Sequence, residues 1–160
     1  MLGWLFGKRS PRIPLPPRKI TQRVKLTRSG ASRQLQQQYG RNVRGDLHDA
    51  LYAGLDDDAA EALAGWLGEV HSSLDHAGFG YKASVSDCDD IAAMAMAVRR
   101  LLPTDYTPLA VRQSVHLPDG GLHMDVAFFM ANGWIMIEPQ TGEWWPAADY
   151  PRDIRWVFVQ

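Results

Sequence analysis

One cysteine, Cys88, in 160 residues excludes an intramolecular disulfide framework and any zinc site built from several thiolates. Long apolar runs are also missing. The longest uncharged, apolar-rich stretch, residues 126–137, is about half of the ~20 residues a membrane-spanning helix needs. Leu2, Trp4, Leu5 and Phe6 form a cluster far too short for a signal-peptide core. No EF-hand spacing and no internal repeat occurs. What is present excludes global disorder, because 46% of the residues are hydrophobic. The length suits one domain with a sizeable core and an arm. These absences predict a soluble chain with no signal peptide and no membrane span, suited to a reducing compartment such as the cytoplasm or to a particle assembled in one.

Acid is the scarcest thing at the N-terminus. Residues 1–45 carry eleven Lys/Arg and no Asp or Glu, whereas residues 46–160 carry all eighteen acids and six bases. The chain therefore divides into a basic Pro/Arg-rich extended arm, 1–45, and an acidic body, 46–160. Such an arm calls for an anionic partner, a neighbouring subunit, or the acidic body itself. Within it, residues 10–17 favour polyproline II. Ile20, Val24 and Leu26 can form a short strand, and residues 32–39 a helical turn.

From Asp46 onward the pattern reads as helical. Asp56, Asp57 and Asp58 supply a cap and first-turn charge, and Ala59, Ala62, Leu63, Trp66, Leu67, Val70 and Leu74 follow at helical spacing, up to Gly78. His71 and His76 fall on or near the polar side of that helix. A second helix is expected from about Asp87 to before Pro103, with Cys88, Ile91, Ala92, Ala95, Val98 and Leu102 facing the body. Period-two stretches then predict strands near 109–117, 123–130, 134–138 and 154–159, with a turn at Asn132-Gly133. Trp144-Trp145 suits core or sheet edge, or a binding platform. The order predicts an α+β fold with helices packed on an antiparallel sheet.

The residues with chemical potential are Cys88, at a helix start where a thiolate is favoured, and His123, at the head of a strand. Glu138 and Gln140 lie beyond the hairpin. Three registers are open: a two-residue turn sets His123 opposite Gly142, and two four-residue loops set it opposite Gln140 or Glu138. All three keep Glu138 and Gln140 on the His123 face. A thiol, an imidazole taking its proton and a polar group orienting the ring would make a nucleophilic site. His116, ahead of the turn Pro118-Asp119-Gly120-Gly121, is the rival base.

Asp87-Cys88-Asp89-Asp90-Ile91-Ala92, then His123, then Ile137-Glu138-Pro139-Gln140-Thr141-Gly142, resemble the papain-like peptidase domain of MOA-type mushroom agglutinins and related bacterial and phage proteins. The resemblance covers roughly 46–160. It implies a papain-like fold and a cysteine-dependent amide-bond hydrolase, a thiol peptidase acting on protein or peptide through Cys88, His123 and Glu138. It also implies calcium activation, with Asp90 and Gln140 as ligands. The Asp-Cys pair at a helix start also looks like the NlpC/P60 type. No Gln precedes Cys88 within residues 81–87, so an oxyanion donor would be a backbone N–H or another side chain. The alternative is a structural or assembly protein, such as a phage virion component, that docks through its basic arm and keeps a vestigial triad.

Overall fold

The computed structural model describes residues 12–74 and 88–159. Strand β1 (Gln22–Thr27) leads into helix α1 (Arg28–Tyr39), a two-residue strand β2 (Val43–Arg44) and strand β3 (Leu51–Leu55). Helices α2 (Ala60–Leu74) and α3 (Cys88–Val98) follow. Strands β4 (Ala110–His116), β5 (Leu122–Phe129), β6 (Trp134–Glu138), β7 (Glu143–Pro146) and β8 (Asp153–Val159) complete the fold. The main sheet has the order β2-β8-β4-β5-β6-β7, and β1 pairs with β3 in a second, two-stranded sheet. All pairings are antiparallel except β2 with β8.

The expected α+β class holds. Both helices are present: α2 buries Leu63, Ala64, Trp66, Leu67 and Val70, and α3 buries Ile91, Ala92, Ala95 and Met96. The expected end of the first helix at Gly78, with His76, and residues 81–87 lie outside the described residues, as do Leu2, Trp4, Leu5 and Phe6. Asp57 does more than favour the helix start: its Oδ1 accepts the Asn132 backbone N–H at 3.1 Å, tying the β5–β6 loop to the head of α2. Trp144 and Trp145 lie in β7, the outer strand of the sheet.

Residues 12–45 depart most from expectation. The helical turn is a three-turn helix, and residues 51–55, within the stretch read as helical from Asp46 onward, are a strand. Ala31, Leu35 and Tyr39, at i, i+4 and i+8 among Arg, Ser and Gln, make one narrow buried stripe on α1. Thr27 Oγ1 caps the helix by accepting from the Gly30 N–H at 3.2 Å, and Gly40, at φ 56°, ends it in a left-handed conformation that glycine adopts without strain. Ile20 is fully buried among the helices, and the Trp66 indole N–H donates to the Pro14 carbonyl at 2.8 Å. The extended arm is therefore corrected to a segment that pairs and packs with the body: β1 bonds β3 and β2 bonds β8 across residue 45.

The sheet separates two cores, because successive side chains of a strand point to opposite faces. On one face Met124, Val126, Phe128, Ile135 and Ile137 pack with α2 and α3. On the other, Ala127, Phe129, Trp134 and Met136 pack with Ala31, Leu35 and Tyr39 of α1.

Candidate functional site

Strands β5 and β6 pair as Val126↔Ile137 through Phe129↔Trp134, leaving the four-residue loop Met130 to Gly133, closed by the Met130 N–H on the Gly133 carbonyl at 2.7 Å. This is one of the three registers the sequence leaves open. Continued one residue beyond Val126↔Ile137, it sets Asp125 opposite Glu138, and two residues further it sets His123 opposite Gln140. Two carboxylates directly across a strand pair repel, more so when both are buried, so this register demands cations.

Two cations answer that demand. His123 Nε2 contacts Glu138 Oε2 and lies 3.2 Å from Asp125 Oδ1. Arg152, on the chain between β7 and β8, donates through Nη1 to Asp125 Oδ1 at 2.7 Å and Oδ2 at 2.8 Å, and to Glu138 Oε2 at 3.2 Å. Tyr150 donates its hydroxyl to Asp125 Oδ2, and the Gln140 backbone N–H donates to Glu138 Oε1 at 3.1 Å. Gly142, at φ 76°, turns the chain beyond β6. Its N–H bonds the Glu138 carbonyl at 2.8 Å, and an added Cβ would stand 3.1 Å from the Ala64 carbonyl oxygen of α2. The end of β6, and Glu138 with it, is thus held from both sides.

Bonds to Asp125, then Glu138, stabilise the imidazolium against the opposing effect of burial, and the His123 pKa is pushed up to about 10. Burial alone would raise Glu138, but its bonds to His123, the Gln140 N–H and Arg152 outweigh this and lower it. At neutral pH the network holds two negative and two positive charges and is closed. Since the folded His123 pKa lies above the ordinary 6.5, its stabilisation is complete below about pH 6.5 and is lost as pH rises through about 10. Tm is therefore expected to fall between pH 7 and 10, with a free-energy slope of up to ~1.4 kcal/mol per pH unit for one proton. A His123→Gln variant should lose that slope; an unchanged alkaline decline in the variant would refute the assignment.

Cys88 does not join this network. It packs, half-buried, against the core formed with α2 and α3. His123 and Asp125 alternate with Met124 and Val126 and so share the face of Ala127 and Phe129, as Glu138 shares that of Trp134 and Met136. Among the described residues no hydrogen bond links the Cys88 sulfur to His123. His116 is exposed at the end of β4, away from the cluster. Arg152 and Tyr150 escaped the sequence reading. The one signal available was that Arg152 is among only six bases in 46–160.

His123, Asp125 and Glu138 place one potential metal-ligand atom each within 4.8 Å of one another. The trio does not fit calcium, which takes six to eight oxygen ligands, because the guanidinium already bonds both carboxylates and one donor is an imidazole. Asp90 is exposed on the first turn of α3, and no polar contact joins it to Gln140 among the described residues. A large cleft, about 1280 Å³, lies elsewhere: Ser29, Ser32 and Gln36 of α1, with Arg28, Arg41 and Asp46, line it beside β2.

No protein-family model and no curated protein matches this sequence. Solved structures do. One, a PSL1a-E64 complex, superposes with a TM-score of 0.61 at 16% identity, over 86% of this chain and 51% of that one. Another is Polyporus squamosus lectin bound to a human-type influenza-binding epitope, with a TM-score of 0.59 at 19% identity, over 86% of this chain and 50% of that one. This chain thus spans about half the length of the structures it matches, and identities this low establish the fold alone. The resemblance to mushroom agglutinins holds at that level.

The expected function is corrected. The matched lectin is described as bound to a glycan epitope and not as a hydrolase or cysteine protease, and that description is its own. The chain's own geometry carries the correction: the His123 imidazole is bonded by two carboxylates, and the thiol packs with the other core. Iodoacetamide is accordingly expected to label Cys88 equally fast in the wild type and in His123→Ala. Labelling slowed several-fold in the variant would restore an activated pair. What the likeness establishes is an α+β fold shared with half of a lectin chain.

Proposed function

We propose that this chain is a non-catalytic binding domain whose ligand is an anionic polymer, engaged through residues 12–45. One observation carries the reading. All nine Lys and Arg of that segment are exposed, and none forms an ion pair among the described residues, although the rest of the chain is acidic. Cations that could neutralise the body at no cost in distance instead face solvent on β1, α1 and β2. Arg28 and Arg41 border the large cleft, where Arg28 is oriented by the carbonyls of Asp49 and His48 at 3.1 and 2.8 Å.

The test is retention of the full chain on heparin and phosphocellulose. Retention at low salt that falls steeply with salt supports the reading, because each neutralised phosphate adds about one unit to the slope of log K against log salt. Failure to bind either resin at low salt overturns it. A second reading, glycan binding, is favoured by the epitope held by the matched lectin. A glycan array would report selective, salt-tolerant binding in that case.

The papain-like architecture is retained as a reading of the fold, supported by α3, opening at Cys88, packed on β5 and β4. Calcium at Asp90 and Gln140 belongs here as a stabiliser. Added calcium should raise Tm and EDTA reverse it, and a Tm indifferent to both removes the ion from the account.

A further inference from the structure

We infer that the β2–β8–β4 end of the main sheet is a stacking surface for single-stranded nucleic acid, centred on Trp156 and Phe158; this rests on the anionic-polymer reading and names its partner. Register puts the residues together. Phe158 pairs with Arg44 of β2 on one side and Arg112 of β4 on the other, and Trp156 pairs with Ser114. Side chains paired across strands share a face, so Arg44, Trp156, Phe158, Arg112 and Ser114 form one continuous patch. This is the face that α2 and α3 cover further along, but those helices pack on β4 to β7. Trp156 and Phe158 are left half-buried.

The patch combines aromatic surface with uncompensated positive charge. The Arg44 guanidinium lies over the Trp156 ring at 4.0 Å, and that of Arg112 over Phe158 at 5.9 Å. Arg44 otherwise bonds only the carbonyls of Arg41 and Val43, and neither arginine meets a carboxylate among the described residues. Arg44, exposed and held over the Trp156 ring, can take a base against its guanidinium plane and a phosphate at its edge, while the buried Arg112 Nε has no hydrogen-bond partner among the described residues. Trp156 and Phe158, two residues apart on one strand, stand about 6–7 Å from each other, close to the step between successive bases of an extended strand. A duplex hides the faces that such a platform needs, whereas a single strand exposes them.

The experiment titrates the full chain with a fluorescent twelve-nucleotide oligothymidylate, the corresponding duplex and inorganic polyphosphate. The inference requires the single strand to bind at least tenfold more tightly than the duplex and to quench tryptophan fluorescence. Trp156→Leu should weaken the single strand at least tenfold and leave polyphosphate unchanged. Arg44→Lys, which keeps the charge and loses the plane, is exposed at the sheet edge and guards against misfolding of the tryptophan variant; it should weaken the single strand several-fold. If the single strand binds no better than polyphosphate, or both variants bind it as the wild type does, the stacking surface is refuted while the anionic-polymer reading stands. If nothing binds, both fall.

Discussion

Deletion of residues 1–45 is expected to abolish cooperative folding. The composition alone argues the opposite, since the arm is polar, basic and proline-rich. The packing decides the matter. Ile20 is fully buried in one core, while Ala31, Leu35 and Tyr39 supply the α1 side of the other. Removing large buried apolar side chains costs about 2–5 kcal/mol each, and three such losses reach the ~5–15 kcal/mol by which a domain is stable. The deletion also strips β3 of its partner β1 and β8 of its partner β2, exposing two strand edges and the underside of the sheet. Thermal denaturation followed by circular dichroism should show no sigmoidal transition for residues 46–160 alone. A truncated chain that melts cooperatively near the full-length Tm would re-establish the boundary at residue 45.

Asp125→Ala is expected to destabilise the domain by about 3–5 kcal/mol, more than a surface carboxylate ever does. Asp125 is fully buried and accepts from Arg152, Tyr150 and His123 at once. Its removal leaves a guanidinium and a phenol facing a void, and leaves His123 with Glu138 alone. The urea midpoint should fall with little change in m, and the His123 pKa should drop toward its ordinary value. The double replacement Asp125→Leu with Arg152→Met is expected to cost less than Asp125→Ala, because no unpaired buried charge remains. If the double variant is as unstable as the single, the network is not the structural node described above.

Helix α2 was legible because its stripe is long and its spacing regular, and β4, β5, β6 and β8 because apolar residues recur every second position. Helix α1 was not, since three buried residues among glutamines and arginines are too few to mark a helical face without the sheet they pack on. Strand β3, Leu-Tyr-Ala-Gly-Leu, is covered on both faces and therefore shows no alternation. Likewise, strand parity put His123, Glu138 and Gln140 on one face for any even-numbered loop, and helical periodicity turned Cys88 inward.

Which cations face which carboxylates, and which core receives the thiol, are properties of the assembled molecule. Parity is a local property of a strand, set by the alternation of the backbone, and so it is carried by the chain itself. Register, in contrast, depends on one four-residue loop, and its choice faced Asp125 with Glu138. That pairing is tolerable only because the connection from β7 to β8 brings back Arg152, 27 residues beyond Asp125 in the chain. The same holds for Cys88: its helix fixes that the sulfur points inward, but the side of the sheet on which α3 lands depends on the burial of α2, α3 and α1 together. Local periodicity thus determined the elements and their faces, whereas long-range packing and charge compensation decided the partners.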